Sequence, residues 1–271
     1  MPGTKTAHHP DGIHSIEFRD QYHTYIDNRG SRYVSGTSFF KPYFPKFDAP
    51  AIAAKCSRGS NPKYAGRDPQ EIMAEWRAEG KRGSTEGDNV HLYAELWPGS
   101  MAPIDGHQDI KPISERCAAL FKQVDAAFYD LILVKGYQVI ASEMIVFSPD
   151  MLVAGTIDLL LRDPAANKII IADWKQNKAE LTTTNQYRNL IPPLEHLQDT
   201  EINKYSLQLS IYQYVMIREN YFPAISHFDR LLIHLSPDQA PTYIHLDYYE
   251  YEIKEVLRHD RKQHRTHRRN P

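Results

Sequence analysis

The stretch that most constrains this chain is Ala154-Gly155-Thr156-Ile157-Asp158, followed by Ile169-Ile170-Ile171-Ala172-Asp173-Trp174-Lys175. Ile157 to Leu161 and Lys168 to Ala172 are apolar, β-branched runs, and Arg162-Asp163-Pro164-Ala165-Ala166-Asn167 between them has turn chemistry. The pattern predicts two β-strands joined by a turn. Runs this apolar belong to strands buried on both faces, where an ionised side chain is costly unless paired or bound to metal. Yet Asp158, Asp173 and Lys175 sit in or at the ends of these runs. Side chains alternate along a strand, so Asp173 and Lys175 point to one side, and Asp158 on the partner strand can meet them there. Two carboxylates and an ammonium converging on a sheet edge would make a divalent-metal site with a lysine beside it. The plainer reading is a buried Asp–Lys ion pair with the second Asp capping a turn.

Composition narrows the classes. A chain of 271 residues suffices for one large α/β domain, or for a domain with a lid. The formal net charge of −2 gives no global basic field, so a nucleic-acid partner would have to be held by a local patch. Cys56 and Cys117 are the only cysteines; they argue against a disulfide scaffold and cannot supply four thiolates to an iron–sulfur cluster. The N-terminus is not signal-like and no apolar run is long enough to span a bilayer, so the expectation is a soluble intracellular protein, in cytoplasm or in a host nucleus or organelle.

Residues 1–12 are polar and read as flexible. His14 to Val34 alternates like strands around the turn Asp27-Asn28-Arg29-Gly30, and Ser35-Gly36-Thr37-Ser38 reads as a helix start. Lys41 to Arg67 holds six basic residues against Asp48 alone, a loop region or a phosphate-contacting wall, with Tyr43, Phe44, Phe47 and Tyr64 interleaved for stacking on unpaired bases. Asp68-Pro69-Gln70-Glu71 opens a helix that Lys81 to Gly87 is expected to break. A second helix then carries His91 and Glu95, four apart on one face. Ile113 to Val134 is an amphipathic helix ended by Gly136, and Gln138 to Phe147 is a strand with Glu143 inside it, positioned to sit beside Asp158. Asn177 to Asn203 is a long polar insertion, of a length more often functional than idle. A helix from Lys204 to Glu219 then places Gln208 and Tyr212 on one face. A terminal hairpin (Leu231 to Leu235, Thr242 to Leu246), a last helix and a basic tail close the chain; the tail is either a solubilising end or a hook for phosphate backbone. No internal repeat is visible.

Taken together, Gly87-x-x-x-His91-x-x-x-Glu95, Glu143, Gly155-Thr156-Ile157-Asp158, Asp173-Trp174-Lys175 and Gln208-x-x-x-Tyr212 resemble the PD-(D/E)XK nuclease superfamily, and within it the RecB-like exonuclease branch without an iron–sulfur cluster. The resemblance spans Gly83 to Tyr212; Ile157 stands where the superfamily's name has proline, and Asp173 fills the Asp/Glu slot. It implies an α/β fold with a restriction-endonuclease-like core, a mixed central sheet flanked by helices, and an N-terminal hairpin and helical elaboration. The expected organisation is a single nuclease domain over 1–271, with a flexible end (1–12), the elaboration (13–82), the catalytic core (83–257) and the basic tail (258–271).

Carried over residue by residue, the resemblance implies that Asp158, Asp173 and the backbone carbonyl of Trp174 hold one or two Mg²⁺ or Mn²⁺ ions, all oxygen ligands as such ions prefer. His91 resembles the extra ligand of the RecB-like branch, Glu95 would orient it, and Glu143 would serve a second ion or bind through water. Lys175 would orient or deprotonate the attacking water. Gln208 and Tyr212 would buttress the site and touch DNA, joined by Arg188 and Lys178 from the insertion. The activity implied is metal-dependent exonucleolytic hydrolysis of DNA, on single strands or ends, in replication, recombination or repair, alongside partner proteins of those processes. The alternatives are a structure-specific or restriction-like endonuclease of the same fold, a catalytically inactive nucleic-acid-binding protein, and a metalloenzyme on a small substrate, which the basic segments disfavour. No Gly-x-x-x-x-Gly-Lys-Ser/Thr loop is present, so an intrinsic ATP motor is not expected.

Overall fold

Strand β6 (Val153–Asp163) organises the protein, in a computed structural model that describes residues 4–97, 110–176, 181 and 188–267, the side chains of 20 and of 260–267 excepted. The chain folds into two compact units, Met1–Pro45 with Lys122–Pro271, and Lys46–Phe121. Neither boundary falls at 82/83, where elaboration and core were expected to meet.

The first unit holds a mixed sheet of nine strands among the described residues. An antiparallel meander of β1 (Thr4–His8), β2 (Ser15–Arg19), β3 (Thr24–Asp27) and β4 (Arg32–Ser35) leads into it. Strand β5 (Gln138–Ser148) runs antiparallel along one edge of β6 for almost its full length. The other edge is shared. β4 pairs with its start in parallel (Val34 with Val153, Ser35 with Ala154), while β7 (Lys168–Lys175) pairs antiparallel with its end, from Leu159 opposite Ala172 to Asp163 opposite Lys168. Between these partners Gly155 to Asp158 line a fork in the sheet. Beyond β7 follow β8 (His227–Ser236), parallel to it, and β9 (Gln239–His245), antiparallel to β8.

The hydrophobic runs read from the sequence explain this order. Leu159, Leu160 and Leu161 of β6 and Ile170 and Ile171 of β7 are all at most 1% exposed, so successive residues are buried and the hairpin is covered on both faces. One face packs against α1 (Gly36–Phe40), α5 (Glu201–Arg218) and α6 (Glu250–His267), through Phe39, Phe40, Leu207, Ile211, Val215, Ile253 and Val256. Ser35 caps α1 as its sequence suggests, its hydroxyl accepting from Ser38 N–H at 3.2 Å. On the meander side, Ile16, Phe18, Tyr25 and Tyr33 form a separate core with Ile145, Phe147 and Ala154.

Five expectations change. Residues 1–12 are not uniformly loose, because Thr4–His8 forms β1, paired in register with Ser15–Arg19. An edge strand with one face in solvent needs few apolar residues, which is why it read as a polar end. The break expected at Lys81–Gly87 is absent: α3 (Pro69–Leu96) runs straight through it in the second unit. Each interior glycine costs about 1 kcal/mol of helix propensity, but without a proline every backbone hydrogen bond can form, and burial of Ile72, Met73, Val90 and Tyr93 outweighs that cost. The helix expected over Ile113 to Val134 is α4 (Glu115–Phe128) closed by a π-helical turn, Tyr129–Val134. Finally, the insertion is not all loop: Leu190 and Leu194 are buried in the main core, and α5 starts at Glu201, capped by Thr200. In the last helix the backbone is helical to His267, so the start of the basic tail continues α6.

In the second unit α2 (Ala49–Arg58) packs on α3 through Ala53, Ile72 and Met73. Two cations of the basic segment are engaged here, since Lys63 and Arg67 pair with Glu75 at 2.9 and 2.8 Å. Tyr64 is spoken for by Trp76, whose indole donates to its hydroxyl at 3.1 Å, and in the first unit Tyr43 is 4% exposed. Of the expected stacking aromatics, Phe47 stands most open, at 63%. Cys56 and Cys117 are free thiols.

Candidate functional site

The sheet fork gathers the acidic residues. Leu159 and Ala172 are the first paired residues of the β6–β7 hairpin, so Asp158 and Asp173 lie one step beyond, facing each other where the strands part. Asp158 Oδ2 accepts the backbone N–H of Trp174 at 3.1 Å, which ties the mouth of the fork together. In an extended strand a residue's N–H and C=O point to the same edge, so the Trp174 carbonyl also faces the Asp158 side. The Trp174 ring points away and packs on Phe128 with centroids 5.3 Å apart.

Glu143 comes in from β5. The register that pairs Ser142 with Leu159 and Met144 with Ile157 sets Glu143 opposite Asp158, and their carboxylate oxygens lie within 4.8 Å. Glu143 takes φ 52, a left-handed conformation that few residues without glycine's freedom adopt. Such strain collects at functional positions, and here it re-aims an acid at the fork. Lys5 on β1 reaches the same carboxylate at 3.8 Å.

Lys175 forms an ion pair with Asp173, whose side chain is 4% exposed, and its ammonium lies 4.9 Å from the centre of the Tyr205 ring. Burial by itself would push the Lys175 pKa down, but attraction by Asp173 and then Asp158 outweighs it and lifts the value above that of an ordinary lysine. The sign follows: the stability contributed by this pair is complete below the ordinary value of 10.5 and is lost only as pH climbs through the raised one. At neutral pH the lysine is therefore a cation, suited to orienting an anion or a water rather than removing a proton.

Helix α5 closes the fork. Gln208 Nε2 lies 3.5 Å from Asp173 Oδ1 and 3.4 Å from the Tyr212 hydroxyl. The Tyr212 ring is 4% exposed and lies against both Gly36 and Gly155, where a methyl group on either glycine would overlap it. Gly155 is thus required by close approach rather than by backbone angle. Gly155→Ala should cost about 1–3 kcal/mol of stability from overpacking. In urea unfolding, Gly155→Ala with Tyr212→Ala should cost less than the two changes added; strict additivity would mean that the ring does not set the limit. On the far side of the fork the Tyr25 hydroxyl bonds Thr156 Oγ1 at 2.8 Å, and burial, with Glu143 close by, pushes the Tyr25 pKa to about 12. Next to Gln208 opens a cleft of about 340 Å³ lined by Thr37, Ser38, Phe40, Lys41, Phe44 and Lys204.

Asp158, Asp173, Lys175, Glu143, Gln208 and Tyr212 are thus brought together around the fork. Arg188 lies in the insertion and pairs with Asp199 at 3.5 Å. His91 and Glu95 lie one turn apart on α3 in the second unit, both half-buried. Lys178 and Thr182 to Tyr187 lie outside the described residues. Lys5, Tyr25 and Tyr205 were not expected at the site. Nothing local marks them, because they reach it through pairing of β1 to β3 and through the first turns of α5.

Compared with models of known protein families and with curated proteins, the chain matches none. Among the described residues no helix is long and apolar enough to cross a membrane.

Proposed function

We propose that this protein is a metal-dependent deoxyribonuclease of the PD-(D/E)XK type, an exonuclease acting on single-stranded DNA or DNA ends. The observation that carries this reading is the position of Asp158 and Asp173 one step beyond the first rung of the β6–β7 hairpin, with Lys175 ion-paired to Asp173 and Glu143 within 4.8 Å of Asp158. The donor set fits a hard divalent cation: Asp158 and Glu143 crowd two carboxylates, and Asp173 is 3% exposed. A cation relieves the repulsion that such crowding creates. Asp158, Asp173 and the Trp174 carbonyl would hold Mg²⁺ or Mn²⁺, and Glu143 would serve a second ion or bind through water. Such an ion, when bound, supplies Lewis-acid polarisation of the scissile phosphate and of the attacking water.

The protein's own groups do the rest. A phosphodiester repels an incoming hydroxide, so cationic groups must be fixed where negative charge builds. Lys175, kept an ammonium by its two aspartates, orients the water and offsets charge on the phosphoryl oxygens. Gln208 and Tyr212 hold Asp173 in place. The cleft next to Gln208, with Lys41, Lys204 and Phe44 on its walls, offers phosphate contacts and an aromatic face, which favours an unpaired strand.

The test is digestion of end-labelled linear single-stranded and double-stranded DNA and of circular DNA, with Mg²⁺, Mn²⁺ or EDTA, with Asp173→Ala alongside. Linear strands should shorten, circles survive, and EDTA or the substitution stop the reaction. Cut circles would replace the exonuclease by an endonuclease of the same kind. DNA binding with no cleavage under any condition would leave a binding protein.

A further inference from the structure

A second group of metal-ligating side chains lies away from the sheet fork, in the loop His9-Pro10-Asp11-Gly12-Ile13-His14 that joins β1 to β2. The loop is closed by His9 N–H donating to His14 O at 2.9 Å, and Gly12, at φ 71, makes the turn. Asp11 Oδ1 accepts the backbone N–H groups of Ile13 and His14 at 2.8 and 3.0 Å, which aims Oδ2 at the two imidazoles. Oδ2 lies 2.6 Å from His14 Nδ1 and 3.0 Å from His9 Nδ1. One ligand atom from each of the three residues falls within 4.8 Å of the others.

His9 is the unusual member. It is 6% exposed, packed with its ring centroid 5.1 Å from Phe147 and 5.7 Å from Tyr221. Its Nε2 faces Glu219 Oε2 at 3.4 Å, and Glu219 is itself held by the Ser148 hydroxyl and by Arg218 Nε at 3.5 Å. Asp11 N–H points at His9 Nδ1 at 3.3 Å, and Asp11 Oδ2 lies 3.0 Å from the same nitrogen. His9 Nδ1 and the Asp11 carboxylate thus converge on one point, where a cation, a proton included, is held by both. An imidazole whose far nitrogen faces a carboxylate is the usual arrangement of a metal-binding histidine.

We propose that His9 Nδ1, Asp11 and His14 Nδ1 form a structural site for a transition-metal ion of the Zn²⁺ class, with Glu219 orienting His9 from behind. Two imidazoles and one carboxylate suit Zn²⁺ better than Mg²⁺, which prefers oxygen ligands alone. Asp11 Oδ2 and His9 Nδ1, 3.0 Å apart, stand near the spacing of about 3.3 Å that tetrahedral bonds of roughly 2.0–2.1 Å produce, while the 2.6 Å contact of Asp11 Oδ2 with His14 Nδ1 is a hydrogen bond that has to open by some tenths of an ångström to admit an ion. The ion would staple the end of β1, an edge strand whose only strand partner among the described residues is β2. It would thereby steady Lys5, which β1 presents to Glu143 at 3.8 Å.

The full-length chain carrying Asp158→Ala and Asp173→Ala, so that the fork no longer competes, is stripped with EDTA and titrated with Zn²⁺ against a chromophoric chelator in excess Mg²⁺. One equivalent of Zn²⁺ should bind, and Co²⁺ in its place should give the strong visible absorption of a four-coordinate ion. His14→Gln or Asp11→Asn should remove both signals, and Glu219→Gln should weaken binding by about 10–100-fold. Circular dichroism on each variant checks that the fold is retained. Absence of stoichiometric Zn²⁺ in the parent, or binding unchanged by both His14→Gln and Asp11→Asn, overturns the site. The parent's own stoichiometry and Co²⁺ spectrum decide the matter if a variant does not fold.

Discussion

Replacing Lys175 by methionine is expected to reduce DNA cleavage by at least about 10²–10³-fold, the cost of deleting one preorganised group aimed at transition-state charge. Affinity for single-stranded DNA should change little, since one side chain that is 19% exposed contributes a small part of a phosphate-contacting surface. The same substitution leaves Asp173 buried without its ion-pair partner, and breaking a buried pair costs up to about 3–5 kcal/mol. Thermal melting in EDTA should therefore fall, and Mg²⁺ should restore part of it, because a bound cation replaces the missing ammonium beside Asp173. Turnover of end-labelled DNA and melting with and without Mg²⁺ read both effects. Cleavage that survives Lys175→Met would remove the lysine from the chemistry and leave it a structural counter-ion.

Asp158→Asn separates the metal role of that side chain from its structural one. The asparagine amide oxygen can still accept the Trp174 N–H that Asp158 now holds at 3.1 Å, so the fork should keep its shape. What disappears is the charge crowding against Glu143, within 4.8 Å. In EDTA the variant should melt at or above the parent's temperature, while cleavage is lost. The parent should gain stability from Mn²⁺, about 2.7 kcal/mol when the ion stands at 100 times its Kd, and the variant should gain almost none. A Mn²⁺-dependent shift of undiminished size in Asp158→Asn would place the ion elsewhere.

The hairpin of β6 and β7 was legible because its apolar runs are long and its acids stand out against them. Glu143 was legible for the same reason, as an acid inside an apolar strand. Gln208 and Tyr212 were legible through helical spacing, though that spacing did not reveal that the Tyr212 ring fills the fork against Gly36 and Gly155. The strand at Thr4–His8 was not legible, since a single-faced edge strand has no hydrophobic run, and Lys5 and the His9 loop were hidden with it. The continuous α3 was misread because glycines at 80, 83 and 87 lower helix propensity locally while tertiary burial decides the outcome.

By itself the sequence determined which residues could be buried, which strands had to be central, and which acids stood where burial makes charge expensive. Those properties are local, set by side-chain chemistry and by the periods of strand and helix. Only the tertiary structure decided that β4 and β7 share one edge of β6, leaving Gly155 to Asp158 at a fork. It alone bent Glu143 into a left-handed conformation facing Asp158, and it alone carried Lys5 and Tyr25 to the same place from the other end of the chain. The contacts of β4 with β6, of Lys5 with Glu143 and of Tyr25 with Thr156 join residues more than a hundred positions apart, chosen by competition among whole strands for hydrogen-bonding edges, and no short window of sequence contains them.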